Sequence, residues 1–257
     1  MGTPAPIGTI HDGVTARIGL LLPSSNILTE REFTRLVPDT VACHAARLKI
    51  AAASAAQLDA MVAHVEEAAD TLRDTGADLL VFACTSGSFL KGRDYDLSLG
   101  QRIQHATGIT TVTTSGALDR GLTELGVTRL TVVTPYDDDL TARGVSFLTE
   151  CGYHVRSARG LGQTTGLGLA SYPPQEIVRI AVATFDPDSE AVLLLCTNFR
   201  GTEAIAELER RLPVPVVSSN QATIWAALRA LGLAARAGGP GSLLARLGPA
   251  SSTVPVG

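Results

Sequence analysis

Between an N-terminal arm rich in Gly, Pro and Thr and a C-terminal tail of small residues, apolar runs alternate with amphipathic stretches along the whole chain. Ile18–Leu22, 42–50, 79–83 and 110–113 are short runs rich in branched residues and lack polar alternation. That pattern predicts strands covered on both faces. Residues 58–75 carry Leu58, Met61, Val62, Val65, Ala68, Ala69 and Leu72 at helical spacing and stop at Gly76, which predicts one long helix. A second helix is predicted over 115–125, closed by Gly126.

The order then repeats. Strands are predicted at 130–134, 154–158, 191–195 and 214–217, and helices at 138–151 (capped by Asp137 or Asp138 and closed by Gly152), 174–185, 202–212 and 221–231. Two landmarks share one interval. Leu79-Leu80-Val81-Phe82-Ala83-Cys84 matches Ala191-Val192-Leu193-Leu194-Leu195-Cys196, and Arg17-Ile18-Gly19-Leu20 matches Arg129-Leu130-Thr131-Val132. The expectation is an internally duplicated α/β protein. It has two pseudo-symmetric halves, each with a roughly four-stranded parallel sheet flanked by helices, and a site in the cleft between them. The expected division is a flexible arm over 1–15, a first half over 16–116 plus about 218–233, a second half over 117–217, and a poorly ordered tail over 234–257. The 243–247 stretch in the tail has the composition of a short helix.

Composition narrows the function. The chain has 257 residues, 45% of them hydrophobic and 18% charged, so a sizeable core needs no disulfide. Net charge is −4 with no basic run, which argues against nucleic acid as partner. No apolar stretch is long enough for a bilayer, and residues 1–16 do not read as a secretory signal. The four cysteines lack metal-ligand spacing, and with no export signal they predict reduced thiols in a cytoplasm. No His falls in a strand-end turn, so a Cys/His dyad is not supported, and no metal site is expected. Gly160-Leu161-Gly162 and Gly166-Leu167-Gly168 do not form a phosphate loop and are expected to make a flexible loop over the cleft.

In parallel α/β sheets ligands bind at the carboxyl ends of strands. Those ends here are Pro23-Ser24-Ser25-Asn26, Cys84-Thr85-Ser86-Gly87-Ser88, Thr113-Thr114-Ser115-Gly116, Thr134-Pro135-Tyr136, Cys196-Thr197-Asn198 and Ser218-Ser219-Asn220. Hydroxyls, amides and free N–H groups at helix starts make a cradle for carboxylates without a cation. Any one such turn is explained by helix capping; several together, two with a matched cysteine, point to a site. Cys84 and Cys196 fall at strand-to-helix junctions, where the helix field is expected to favour thiolate. Cys43 and Cys151 read as structural.

These turns resemble landmarks of the aspartate/glutamate racemase superfamily, in its maleate cis-trans isomerase and arylmalonate decarboxylase branch, over roughly 17–231. The resemblance implies a cofactor-independent isomerase acting on a small carboxylic acid, with maleate favoured. The alternatives are an amino-acid or amino-acid-derivative racemase of the ectoine-utilisation type, an arylmalonate-type decarboxylase, or a non-catalytic carboxylate-binding protein. Two cysteines count against the decarboxylase, which keeps one. Carried over by position, Cys84 is the nucleophile or first base and Cys196 the partner acid. Asn26, beside Ser25, and Tyr136 hold a substrate carboxylate, and Thr85, Ser86, Thr197 and Asn198 supply donors. No asparagine stands in the 164–167 loop, where maleate isomerases have one. Arg200 is either a substrate clamp or a surface charge, and a homodimer is expected.

Overall fold

A computed structural model describes residues 13–247; the rest of the arm (1–12) and of the tail (248–257) lie outside the described residues. The first half runs β1 (Ala16–Pro23), α1 (Thr29–Leu36), β2 (Val41–Leu48), α2 (Ala55–Val62), α3 (Val65–Arg73), β3 (Leu79–Phe82), α4 (Thr85–Phe89), α5 (Arg93–Thr107), β4 (Thr111–Thr113) and α6 (Thr114–Leu125). The second runs β5 (Arg129–Tyr136), α7 (Asp138–Glu150), β6 (His154–Gln163), α8 (Gly166–Leu169), α9 (Pro174–Thr184), β7 (Ala191–Leu194), α10 (Gly201–Arg211), β8 (Val216–Ser218), α11 (Ser219–Ala230) and α12 (Gly241–Leu244).

The expected architecture is present. Two four-stranded parallel sheets have the orders β2-β1-β3-β4 and β6-β5-β7-β8. The duplication extends to register. Ile18 faces Leu79 in the first sheet and Leu130 faces Ala191 in the second, and the next three pairs repeat the match. β3 and β7 are completely buried, which is why their sequences show no alternation. α6 and α11 each leave a short edge strand. Thr113 caps the first by accepting from the Gly116 N–H, and Ser218 caps the second by accepting from the Gln221 N–H. The two helices pack on each other at the seam. Gly76, Gly126 and Gly152, expected to end helices, all have positive φ.

Several expectations need correction. The predicted helix over 58–75 is two helices, because the chain turns at Ala63 and His64, and His64 leaves the helical region (φ −104, ψ 12). α1 and α5 were not predicted. α1 buries only Thr29, Glu32 and Phe33, and α5 buries Asp96, Leu99, Ile103 and Thr107 with Gly100 in its middle, too sparse an apolar stripe to read. Gly160 to Gly162 are not loop; they extend β6, an edge strand whose register is broken twice against β5. Residues 234–247, expected to be poorly ordered, carry α12, whose Leu243 and Leu244 are buried in the core.

Candidate active site

The two sulfurs meet in one cavity. It is walled by Pro23, Ser25 and Asn26 from the first strand end, by Cys84 and Ser86, by Tyr136, and by Cys196, Thr197 and Asn198. Ile50, Ala53 and Leu58 close one side, and Gly166 and Leu169 another. Each half contributes one cysteine from the end of its second central strand, as the matched registers require. The cavity is only about 30 Å³, room for about one water molecule. It is shut by contacts between the halves: the Ala53 N–H donates to Thr164 O at 2.8 Å, and Gly166 lies against the Ser25 hydroxyl.

Cys84 is the N-cap of α4, and its Sγ accepts the Gly87 N–H at 3.3 Å. The Ser86 hydroxyl stands 3.9 Å from the same sulfur. Cys196 Sγ accepts the Asn198 N–H at 3.2 Å and faces the Tyr136 hydroxyl. These donors favour thiolate, yet burial outweighs them. It pushes the Cys84 thiol up to about 11, against the opposing pull of Gly87 and Ser86. It pushes Cys196 up to about 12, against Tyr136 and Asn198. The sequence expectation of a thiolate favoured by the helix field is thus corrected: desolvation by burial dominates at both sulfurs. Burial likewise raises the Tyr136 phenol well above its ordinary value, so it is a hydrogen-bond donor.

Of the other expected residues, Ser25, Ser86 and Tyr136 line the cavity with hydroxyls, and of the N–H groups that open α4 that of Gly87 is held by Cys84 Sγ and that of Ser88 by Cys84 O. Asn26 and Asn198 line it too, but their amides are occupied. Asn26 Oδ1 accepts the Leu28 and Thr29 N–H groups just ahead of α1, both at 3.0 Å, and its Nδ2 donates to Thr29 Oγ1 and Thr197 Oγ1. Asn198 Oδ1 accepts the Ile27 N–H at 3.0 Å, and its Nδ2 donates to Ser25 O at 3.3 Å and Gly166 O at 2.7 Å. Thr197 Oγ1 donates to Ala83 O across the seam at 3.3 Å. Thr85 does not reach the cavity wall; its hydroxyl is buried without a partner. Arg200 is absent from the wall and forms a two-pronged pair with Glu203, both bonds at 2.9 Å. Among the described residues, Cys43, Cys84, Cys151 and Cys196 are all free thiols.

Two residues were given no role by the sequence reading, although Glu30 or Glu32 stands among the landmarks of the resemblance. Glu32 is buried on α1, where Thr202 Oγ1 donates to it at 2.5 Å and its other oxygen has no partner; burial raises its pKa to about 7. Arg47, at the end of β2, reaches the backbone of the Ser24–Asn26 turn. Their partners are distant in sequence, so no local signal marks them. A larger groove of about 430 Å³ lies between Glu32, Thr202 and residues 236–240, and neither sulfur lines it.

Comparison with known proteins agrees with the fold. The arylmalonate decarboxylase family model matches residues 18–244. The chain is 35% identical to an arylmalonate decarboxylase from Bordetella bronchiseptica, over 87% of this chain and 93% of that protein. The structure of a cysteine-to-alanine variant of the maleate isomerase from Pseudomonas putida S16 with maleate has a TM-score of 0.86 at 29% identity, covering 89% of this chain and 97% of the other. A Nocardia farcinica maleate cis-trans isomerase, a cysteine-to-serine variant with a covalently bound succinylcysteine intermediate, has a TM-score of 0.84 at 25% identity, covering 89% and 98%. By sequence and by fold, the chain belongs to the arylmalonate decarboxylase family of enzymes, and it is similar to maleate isomerases as well.

Proposed function

We propose that this protein is a cofactor-independent isomerase in which Cys84 and Cys196 act on one small carboxylic acid, converting maleate to fumarate. The observation that carries the reading is the meeting of the two thiols, one from each half, in a single cavity whose other polar groups are neutral donors. The Ser86 and Tyr136 hydroxyls receive one carboxylate, and Ser25 and the Thr197 backbone receive the other. Asn26, Thr85 and Asn198 shape these groups rather than touch the substrate.

Cys84 adds as thiolate to one alkene carbon. The C–S bond forms, the π bond breaks, and its electron pair moves to the neighbouring carbon, which takes the Cys196 proton. Rotation about the resulting single bond is free. Cys196 thiolate then removes the proton, the double bond re-forms in trans geometry, and Cys84 leaves as thiolate. The setting is a reducing cytoplasm, since both thiols must stay reduced, and the enzyme is expected to be a homodimer. Among the described residues no helix is long and apolar enough to cross a membrane.

A racemase would use the same pair to remove and return an α-proton from opposite faces, and the duplicated placement of the thiols favours it as the second reading. The test is proton NMR in deuterated buffer with maleate, then with aspartate and glutamate, and with an arylmalonate for decarboxylation. Fumarate is expected. Cys84→Ser and Cys196→Ser are each expected to lower turnover by about a thousandfold or more, and the Cys196→Ser protein to accumulate a maleate adduct on Cys84 visible by intact mass. Full activity in both variants would remove the two-thiol mechanism.

A further inference from the structure

The turn from Ser24 to Ile27 carries the Ser25 side of the cavity, and almost all its backbone polar groups are held. The Ser24 N–H donates to Leu48 O at 2.7 Å and the Asn26 N–H to Pro23 O at 2.9 Å. From the second half, Asn198 takes the Ile27 N–H and donates to Ser25 O. From the first half, Arg47 Nη1 donates to Ser24 O at 3.2 Å and to Asn26 O at 2.8 Å, while Nη2 pairs with Glu30. Among the described residues, the Ser25 N–H and hydroxyl have no partner, and Ser25 lines the cavity. Asn26, fixed through its carbonyl, donates in turn to the hydroxyl of Thr197, the neighbour of Cys196.

We propose that Arg47 is a positioning residue of this enzyme: its guanidinium holds the Ser24–Ile27 turn so that the free Ser25 donors face the substrate carboxylate. As an ion pair Arg47–Glu30 is worth little, because the two side chains are 40% and 41% exposed. The work of the guanidinium is geometric. One planar fork spans two carbonyls and a carboxylate, which a lysine ammonium on its single nitrogen cannot reproduce. Glu30 fixes the plane of the fork. Arg47 never contacts the substrate; it acts through the turn.

This role rests on carboxylate binding in the cavity, so the test separates the two. The maleate concentration that half-protects Cys84 from iodoacetamide is measured in the parent, Arg47→Ala and Arg47→Lys proteins, together with hydrogen exchange at the Ile27 amide and Tm. Arg47→Ala is expected to raise that concentration about tenfold, the equivalent of one hydrogen bond from a charged donor, and to speed exchange at Ile27 by a similar factor. Arg47→Lys is expected to fall between. Millimolar guanidinium ion is expected to restore part of both effects in Arg47→Ala and to do nothing to the parent, a rescue that a general loss of packing would not show. Half-protection and Ile27 exchange both within about twofold of the parent, or losses that follow Tm and resist guanidinium, would overturn the assignment. If maleate fails to protect even the parent, the substrate reading fails, and the Ile27 exchange with its guanidinium rescue still decides the role of Arg47.

Discussion

The two halves place their cysteines at equivalent points and then surround them differently. Cys84 leads straight into α4 and is its N-cap, so one sulfur faces the start of a helix. Cys196 leads into a turn, and α10 begins only at Gly201; its sulfur has one backbone N–H and a phenol. The outcome is two thiols held at about 11 and about 12. Duplication therefore supplied the placement, and local divergence gave the sulfurs different surroundings: one meets a helix start and the other a phenol, and in the mechanism proposed above the first adds as thiolate while the second delivers the proton. The same contrast recurs on the flanking helices. Glu32 of α1 lies at the repeat interval from Gly144 of α7. The first is a buried carboxyl against Thr202, and the second is the point where α7 closes onto Leu195 and Phe89.

The largest effect that sharpens this comparison is the pH dependence of kcat/KM. If the thiolate of Cys84 starts the reaction, its population grows about tenfold per pH unit below its pKa. A rise of roughly a thousandfold between about pH 7 and 10 is expected, measured with initial rates of fumarate formation. A flat profile over that range would break the assignment of Cys84 as the adding sulfur.

Next in size is the buried carboxyl of the first half. Glu32 titrates at about 7 in the folded protein against an ordinary 4.5, and burial is the main cause. A raised acid favours the folded state fully below the ordinary value and loses that contribution as pH climbs through about 7. The loss is roughly 3 kcal/mol by linkage. Glu32→Gln is thus expected to be more stable than the parent at pH 8 by up to that amount and to flatten the stability curve between the two values. Urea unfolding at pH 5 and pH 8 checks it; equal pH dependence in both proteins would contradict the expected burial.

The smallest effect concerns the opposite half. A Cβ at Gly144 would lie 2.8 Å from Leu195 and 3.5 Å from Phe89. Gly144→Ala is expected to cost about 1–2 kcal/mol through overpacking, read from the urea midpoint. A stabilised variant would mean that this contact yields easily and that Gly144 is no closer a fit than its counterpart.

Much of the fold was legible because duplicated, fully buried strands leave an unmistakable apolar signature. Leu79–Phe82 and Ala191–Leu194 were read correctly, and with them the location of both cysteines. α1 and α5 were not, since each buries few side chains and hides them among charges. The break at His64 was invisible because the apolar spacing continues across it. At the site, residue types were readable and commitments were not. Asn26 and Asn198 look like substrate ligands until the structure shows their amides tied to Thr29, Thr197, Ile27, Ser25 and Gly166. Thiol acidity was misjudged for a related reason: a helix start is visible in sequence, whereas the extent of desolvation depends on loops arriving from both halves.

The bond from Ala53 to Thr164 and the press of Gly166 on Ser25 have a kinetic consequence. For the four-carbon acid proposed above, a site with space for about one water admits no substrate while that latch is fastened, so each cycle would include an unfastening step before entry and another before departure. Chemistry between the sulfurs sets the rate only while it is slower than this door. Gly166, where any side chain would strike the Ser25 oxygen, lets the door shut flush.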